Sequence, residues 1–173
     1  MADVELPEEA NNPFERVVAL TIAMLAVVLS FVDNTGDNAK TEGIVKTNQA
    51  ANNWAYFQSK SIKQNFAEAN TTLLASLSVT DPAKAQATAE EMLKEVARYD
   101  VEKKEIMAEA KALEKEVEYA MSIDDRADLA SLLLQIAIVI CSIAILVKWR
   151  AIFYVGVVAG IAGSTVAIMA FLM

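Results

Sequence analysis

The stretch LASLLLQIAIVICSIAILV-KWR-AIFYVGVVAGIAGSTVAIMAFLM, residues 129–173, holds two apolar runs, 129–147 and 151–173, separated by Lys148-Trp149-Arg150. Neither run contains Asp, Glu, Lys or Arg. A hydrocarbon core about 30 Å thick takes roughly 20 apolar residues in a helix, because only a helix satisfies its own backbone hydrogen bonds there. Both runs reach that length. Toward the amino terminus, residues 17–32 are also free of charge. This run is shorter, but Phe14 extends it and the stem of Arg16 can snorkel toward head groups while its charge stays wet.

The rest of the composition fits this pattern. The chain has 173 residues, 55% of them hydrophobic and 22% charged, with a mean hydropathy of +0.32. Such values coexist when charge and apolarity are segregated along the chain, and here nearly all charge lies in 33–128 or before the first apolar run. That segregation is a membrane signature. The expected architecture is an all-α membrane protein: an acidic leader over 1–13, transmembrane helices over 14–32, 129–147 and 151–173, a short basic loop over 148–150, and an extramembrane helical hairpin over 33–128. The acidic leader, and the absence of a small-x-small site near Ser30-Phe31-Val32-Asp33, predict an uncleaved anchor in place of a removed signal.

Within 33–128 the second half has the clearer period. Ala89, Met92, Val96, Tyr99, Lys103, Ile106, Ala110, Leu113, Val117 and Ala120 alternate spacings of three and four, a heptad seam, with Glu and Lys filling the positions between. Lys103 is the one charged residue in it. Asp81 followed by Pro82 predicts a capped helix start and a turn near 78–81. Before the turn, Ala51, Ala55, Ile62, Phe66, Ala69, Leu73 and Leu77 predict a second amphipathic helix over about 40–77. The two are expected to pair as an antiparallel, coiled-coil-like hairpin. Trp54, Tyr56 and Phe57 fall on different sides of the first helix, a surplus that one hairpin seam does not cover; a second contact surface makes them candidate partner contacts, with a locally wider core or interfacial aromatics as the alternatives.

The chemistry is mostly excluded. There is no histidine, so the commonest metal ligand and acid-base catalyst is missing. The single cysteine, Cys141, lies in an apolar run and has no internal disulfide partner. No phosphate loop is present. Asp33, Asp37 and Glu42 superficially resemble a calcium loop, but Asn38 and Ile44 stand where glycine and glutamate are needed. Glu114, Glu116 and Glu118 cannot face one point on a helix. No cofactor, no metal, no nucleic-acid partner and no enzymatic activity are expected.

Two positive signals remain. Gly156, Gly160 and Ser164 recur every four residues, with Gly163 beside them, the small-residue pattern that lets another helix approach closely. The neighbour is either a span of the same chain or one from another subunit. The basic loop beside Trp149 predicts a cytoplasmic position for 148–150. The amino terminus then lies in the cytoplasm, with the hairpin and the carboxyl terminus outside it.

Asn12-Pro13-Phe14-Glu15 and the run from Asn53 to Gln64, NWAYFQSKSIKQ, resemble an uncharacterised bacterial membrane family known as a domain of unknown function. The resemblance covers nearly the whole chain and implies one span, a helical segment, two closing spans and the bacterial inner membrane. It implies no catalytic residues. The expected function is that of a non-enzymatic structural or accessory membrane protein that self-associates or docks on a larger membrane complex through its helical hairpin and its small-residue third span. Its partners are membrane lipids and either copies of itself or other subunits. An oligomeric channel or transporter component, with residues such as Gln135 lining the pore, is the alternative.

Overall fold

The computed structural model describes residues 12–77 and 81–172, so most of the acidic leader and the centre of the expected turn at 78–81 lie outside the described residues. Three helices make up the described chain: α1 (Pro13–Ser76), α2 (Pro82–Val147) and α3 (Arg150–Phe171). Each is long and apolar enough to cross a membrane. Where separate elements were expected for each span and each half of the hairpin, α1 and α2 are each one unbroken helix. Neither Gly36 nor Gly43 interrupts α1, and no proline stands in either helix beyond its first position.

The helix starts follow local chemistry. Asn12 caps α1: its Oδ1 accepts from the Phe14 amide at 3.1 Å, its Nδ2 donates to Glu15 Oε1 at 3.2 Å, and Pro13 takes the first helical position. The motif Asn12-Pro13-Phe14-Glu15 is therefore a helix start resembling a capping box. Asp81 caps α2 in the expected way, accepting from the Lys84 amide at 3.1 Å. α3 has no side-chain cap; it follows a two-residue reversal in which Lys148 takes a φ of 55°.

The described chain divides into two compact units. The first joins the chain up to Thr41 to that from Ala120 onward, and the second is Glu42–Tyr119. In the first unit the interior is made of small residues. Ala127, Ala130, Ala137, Cys141, Ala144 and Ala167 are buried, together with Val32 and Leu134. Most of the other large apolar side chains point outward, as with Val27 at 71% exposed and Leu146 at 84%.

In the second unit α1 and α2 run antiparallel, with Lys46 paired to Glu116, Trp54 to Glu114 and Lys60 to Glu102. The α2 seam from Ala89 to Ala120 is buried or half-buried at every expected position. α1 differs from expectation. Its covered face carries Lys46, Ala50, Phe57, Lys60, Gln64 and Ala67, whereas the apolar stripe containing Ile62, Phe66, Leu73 and Leu77 is exposed. The reason is visible in the contacts. Lysine stems serve as seam residues because their ammonium groups reach charges and aromatic rings across the seam, and Gln64 donates to Glu68 on its own helix, so the covered face does not look apolar in sequence.

Candidate functional surfaces

With three glycines on one side, α3 approaches its neighbours closely. A Cβ at Gly156 would lie 2.6 Å from Cys141 Sγ, one at Gly160 2.8 Å from Leu25 Cδ2, and one at Gly163 3.1 Å from the Leu134 backbone nitrogen. All three contacts are with α1 and α2 of the same chain. Ser164 is half-buried and its hydroxyl donates to the Gly160 carbonyl at 2.8 Å. It borders an apolar groove between α1 and α3 in which Thr21 and Thr165 also direct their hydroxyls to carbonyls one turn back. With those hydroxyls satisfied, the groove offers little to a polar ligand.

At the border of its charge-free stretches this unit holds a polar layer. Ser131 Oγ donates to Asp33 Oδ1 at 2.5 Å, Lys40 Nζ lies 3.5 Å from the buried carboxylate of Asp124, and a Cβ at Gly36 would meet Ala127 at 2.9 Å. Burying a carboxylate is costly unless it is paired, and Lys40 supplies the pair. At the amino-terminal end of α1, Glu15 meets Lys148 at 3.7 Å, while the Arg150 guanidinium stands 5.8 Å from the Phe14 ring and Phe14 packs edge-on against Phe153. The start of α1 and the basic reversal thus share one end of the unit.

The candidate contacts Trp54, Tyr56 and Phe57 divide by role. Trp54 donates through Nε1 to Glu114 Oε1 at 2.7 Å and packs edge-on against Phe57. Lys103, the charged seam residue, lies 5.5 Å over the Phe57 ring. Trp54 and Phe57 therefore face α2, and only Tyr56 is more than half exposed. Lys60 sits between Tyr56 and Tyr99 at 5.1 and 5.3 Å while paired with Glu102 at 2.6 Å. Its hydrogen bond to Glu102 raises Lys60 above the ordinary lysine value, and the same bond holds Glu102 below the ordinary carboxylate range. Glu116 raises Lys46 in the same manner. Periodicity could not have singled out Lys46, Lys60 and Gln64 as seam residues; the glutamates spaced along α2 were the available signal.

Among the described residues no group of three or more His, Cys, Asp or Glu is placed to hold a metal ion. Cys141 is buried and unpaired by any disulfide. No curated protein and no solved structure matches the chain. A family model does: a domain of unknown function, DUF4337, matches residues 14–173, nearly the whole of both units, and the chain belongs to that family.

Proposed function

We propose that this chain is a non-enzymatic structural or accessory protein of the bacterial inner membrane, which self-associates or docks on a larger membrane complex chiefly through its helical hairpin. The observation that carries the reading is the distribution of side-chain size in the first unit. Alanine, glycine and cysteine fill most of the interior, with Val18, Val32 and Leu134 the few larger side chains fully buried there, while most of the valine, leucine and isoleucine, and Phe31, face outward. In water this arrangement would expose far more contiguous apolar surface than soluble monomers carry. In hydrocarbon it costs nothing, and close approach of small residues is how helices associate there.

The residues over 14–32, 129–147 and 151–173 serve as the spans. The charged helices between them form a coiled-coil-like hairpin in water, on the periplasmic side with the carboxyl terminus, and the amino terminus and 148–150 face the cytoplasm. The contact of Glu15 with Lys148 supports a common side for those two segments. Because the glycines of α3 meet helices of the same chain, they hold the spans together, and outside partners are met elsewhere.

The test has two parts. The full chain is expected to stay in the membrane pellet on alkaline carbonate extraction; release into the supernatant would overturn the membrane assignment. Its mass in native-like lipid particles is expected to correspond to a homo-oligomer or to a complex with co-extracted subunits. A monomer with no companion after crosslinking would remove the association.

A further inference from the structure

The hairpin part of α1 has two apolar faces, and α2 covers only one. At 100° per residue, Ile44, Ala51, Ala55, Ile62, Phe66 and Leu73 fall within a narrow stripe on the side of the helix opposite the seam residues Lys46, Phe57, Lys60 and Gln64. The stripe is open, with Ile62 at 62% exposed and Phe66 at 70%. No charged residue falls on it. The only charges of α1 over 44–76 are Lys46, Lys60, Lys63 and Glu68, whereas α2 carries one at about every second position between Lys84 and Glu118. One helix of the pair is dressed for water on its outer side, and the other is not.

We propose that this outer stripe of α1 is where a second copy of the same chain docks, α1 against α1. Two features favour a second copy as occupant. First, an uncharged stripe flanked mainly by Gln58, Asn65 and Thr72 on one side and by Tyr56, Lys63 and Asn70 on the other meets itself with almost no like-charge conflict, and it offers a charged partner little to pair with. The resulting row α2–α1–α1–α2 puts the two nearly neutral helices in the middle and the two charged ones at the outside. Second, the size suffices. From Ile44 to Leu73 the stripe runs about 44 Å at 1.5 Å per residue and about 10 Å across, which gives on the order of 900 Å² over both copies, close to the area at which a specific interface becomes tenable.

The direction of pairing follows from the membrane reading given above, on which it rests. Two copies inserted in one bilayer have the same orientation, so α1 meets α1 in parallel and each stripe residue lies near its own counterpart.

The experiment uses the full chain in membranes with Cys141→Ser as background. Ile62→Cys and Phe66→Cys are each expected to give a dimer with a short bismaleimide, and Ala97→Cys and Ala108→Cys on the outer side of α2 are expected not to. The double substitution Ile62→Glu with Phe66→Glu, at positions exposed in the single copy, is expected to convert the oligomer to monomer in lipid particles while helix content by circular dichroism is unchanged. An unchanged mass together with no crosslink at 62 or 66 overturns the proposal. So does capture of a different protein at those positions in place of a second copy. A chain carrying Ile62→Cys that crosslinks to a copy carrying Leu73→Cys, and not to its own counterpart, would overturn the parallel arrangement while keeping the face. Release by carbonate, by contrast, breaks the membrane reading, and the mass of the glutamate variant still decides the docking face.

Discussion

The same two helices are held together in two different ways in the two units. In the first, α1 and α2 are joined by α3, and the contacts are close approaches of glycine to a facing helix: Gly156 at Cys141, Gly163 at Leu134, Gly36 at Ala127. In the second, long polar side chains cross between the helices: Lys46 to Glu116, Lys60 to Glu102, Trp54 to Glu114. On the membrane reading proposed above, the difference reflects the surroundings of each unit. Where the medium is as apolar as the side chains, burying leucine gains nothing and only close fit distinguishes one partner from another. Where the medium is water, the stems of lysine and the rings of Tyr99 and Phe57 gain by burial, and their charged neighbours remain hydrated or paired.

The contrast is most vulnerable at α3. Gly163→Leu and Gly156→Leu each force side-chain atoms into a space bounded by backbone of α2, and are expected to destabilise the first unit by about 3 kcal/mol, the upper range for overpacking. Reversible unfolding in sodium dodecyl sulfate, followed by circular dichroism, checks this. Gly156→Ala is expected to cost less and to be partly rescued by Cys141→Ala, because the sulfur is the nearest obstacle. An equal loss with and without the rescue would mean that α3 does not sit on α2 as described.

A smaller effect separates the units by pH. Glu102 is held below its ordinary value by Lys60, so the stability it contributes is present above the unfolded carboxylate pKa of about 4.3 and is lost as pH falls through the folded value. Lys60 and Lys46 are raised, so their contribution is full below about 10.4 and is lost as pH rises through the folded values. The second unit is thus expected to be most stable between about pH 5 and 10. Each unit has its own tryptophan, Trp54 or Trp149. Thermal melts read by fluorescence in Trp149→Phe are expected to fall at both extremes, with a weaker response in Trp54→Phe. Matching responses would erase the distinction.

The smallest expected effect is at the reversal. Lys148 holds a left-handed conformation that glycine adopts without steric cost, so Lys148→Gly is expected to relieve about 1 kcal/mol of backbone strain, less whatever the exposed contact with Glu15 contributes. Lys148→Ala keeps the strain and loses the charge, and is expected to be the less stable of the two in the same detergent titration.

How far the sequence made this legible depended on contrast between faces. On α2, apolar seam residues alternate with Glu and Lys, and each seam position from Ala89 to Ala120 could be read from periodicity alone. The start at Asp81-Pro82 was equally plain. On α1 that contrast is reversed: the covered face holds Lys46, Lys60 and Gln64, and the exposed face holds Ile62 and Phe66. Amphipathic period there selects the wrong side. The glycines of α3 were legible as a close-packing face, but their partner was not, since nothing in a small-residue pattern names the helix that fits it. Trp54 and Phe57 looked surplus only because the glutamate and lysine that engage them, Glu114 and Lys103, are not apolar.

Cys141 turns the tight fit of α3 into a clock. It is the chain's one thiol, and it lies fully buried with Gly156 against it. A membrane-permeant alkylating reagent can reach the sulfur only while the helices part, so under conditions where opening is rapid and reversible the labelling rate measures the free energy of that local separation. The unmodified protein can thus report, on the timescale of minutes to hours, how often its closest helix contact lets go.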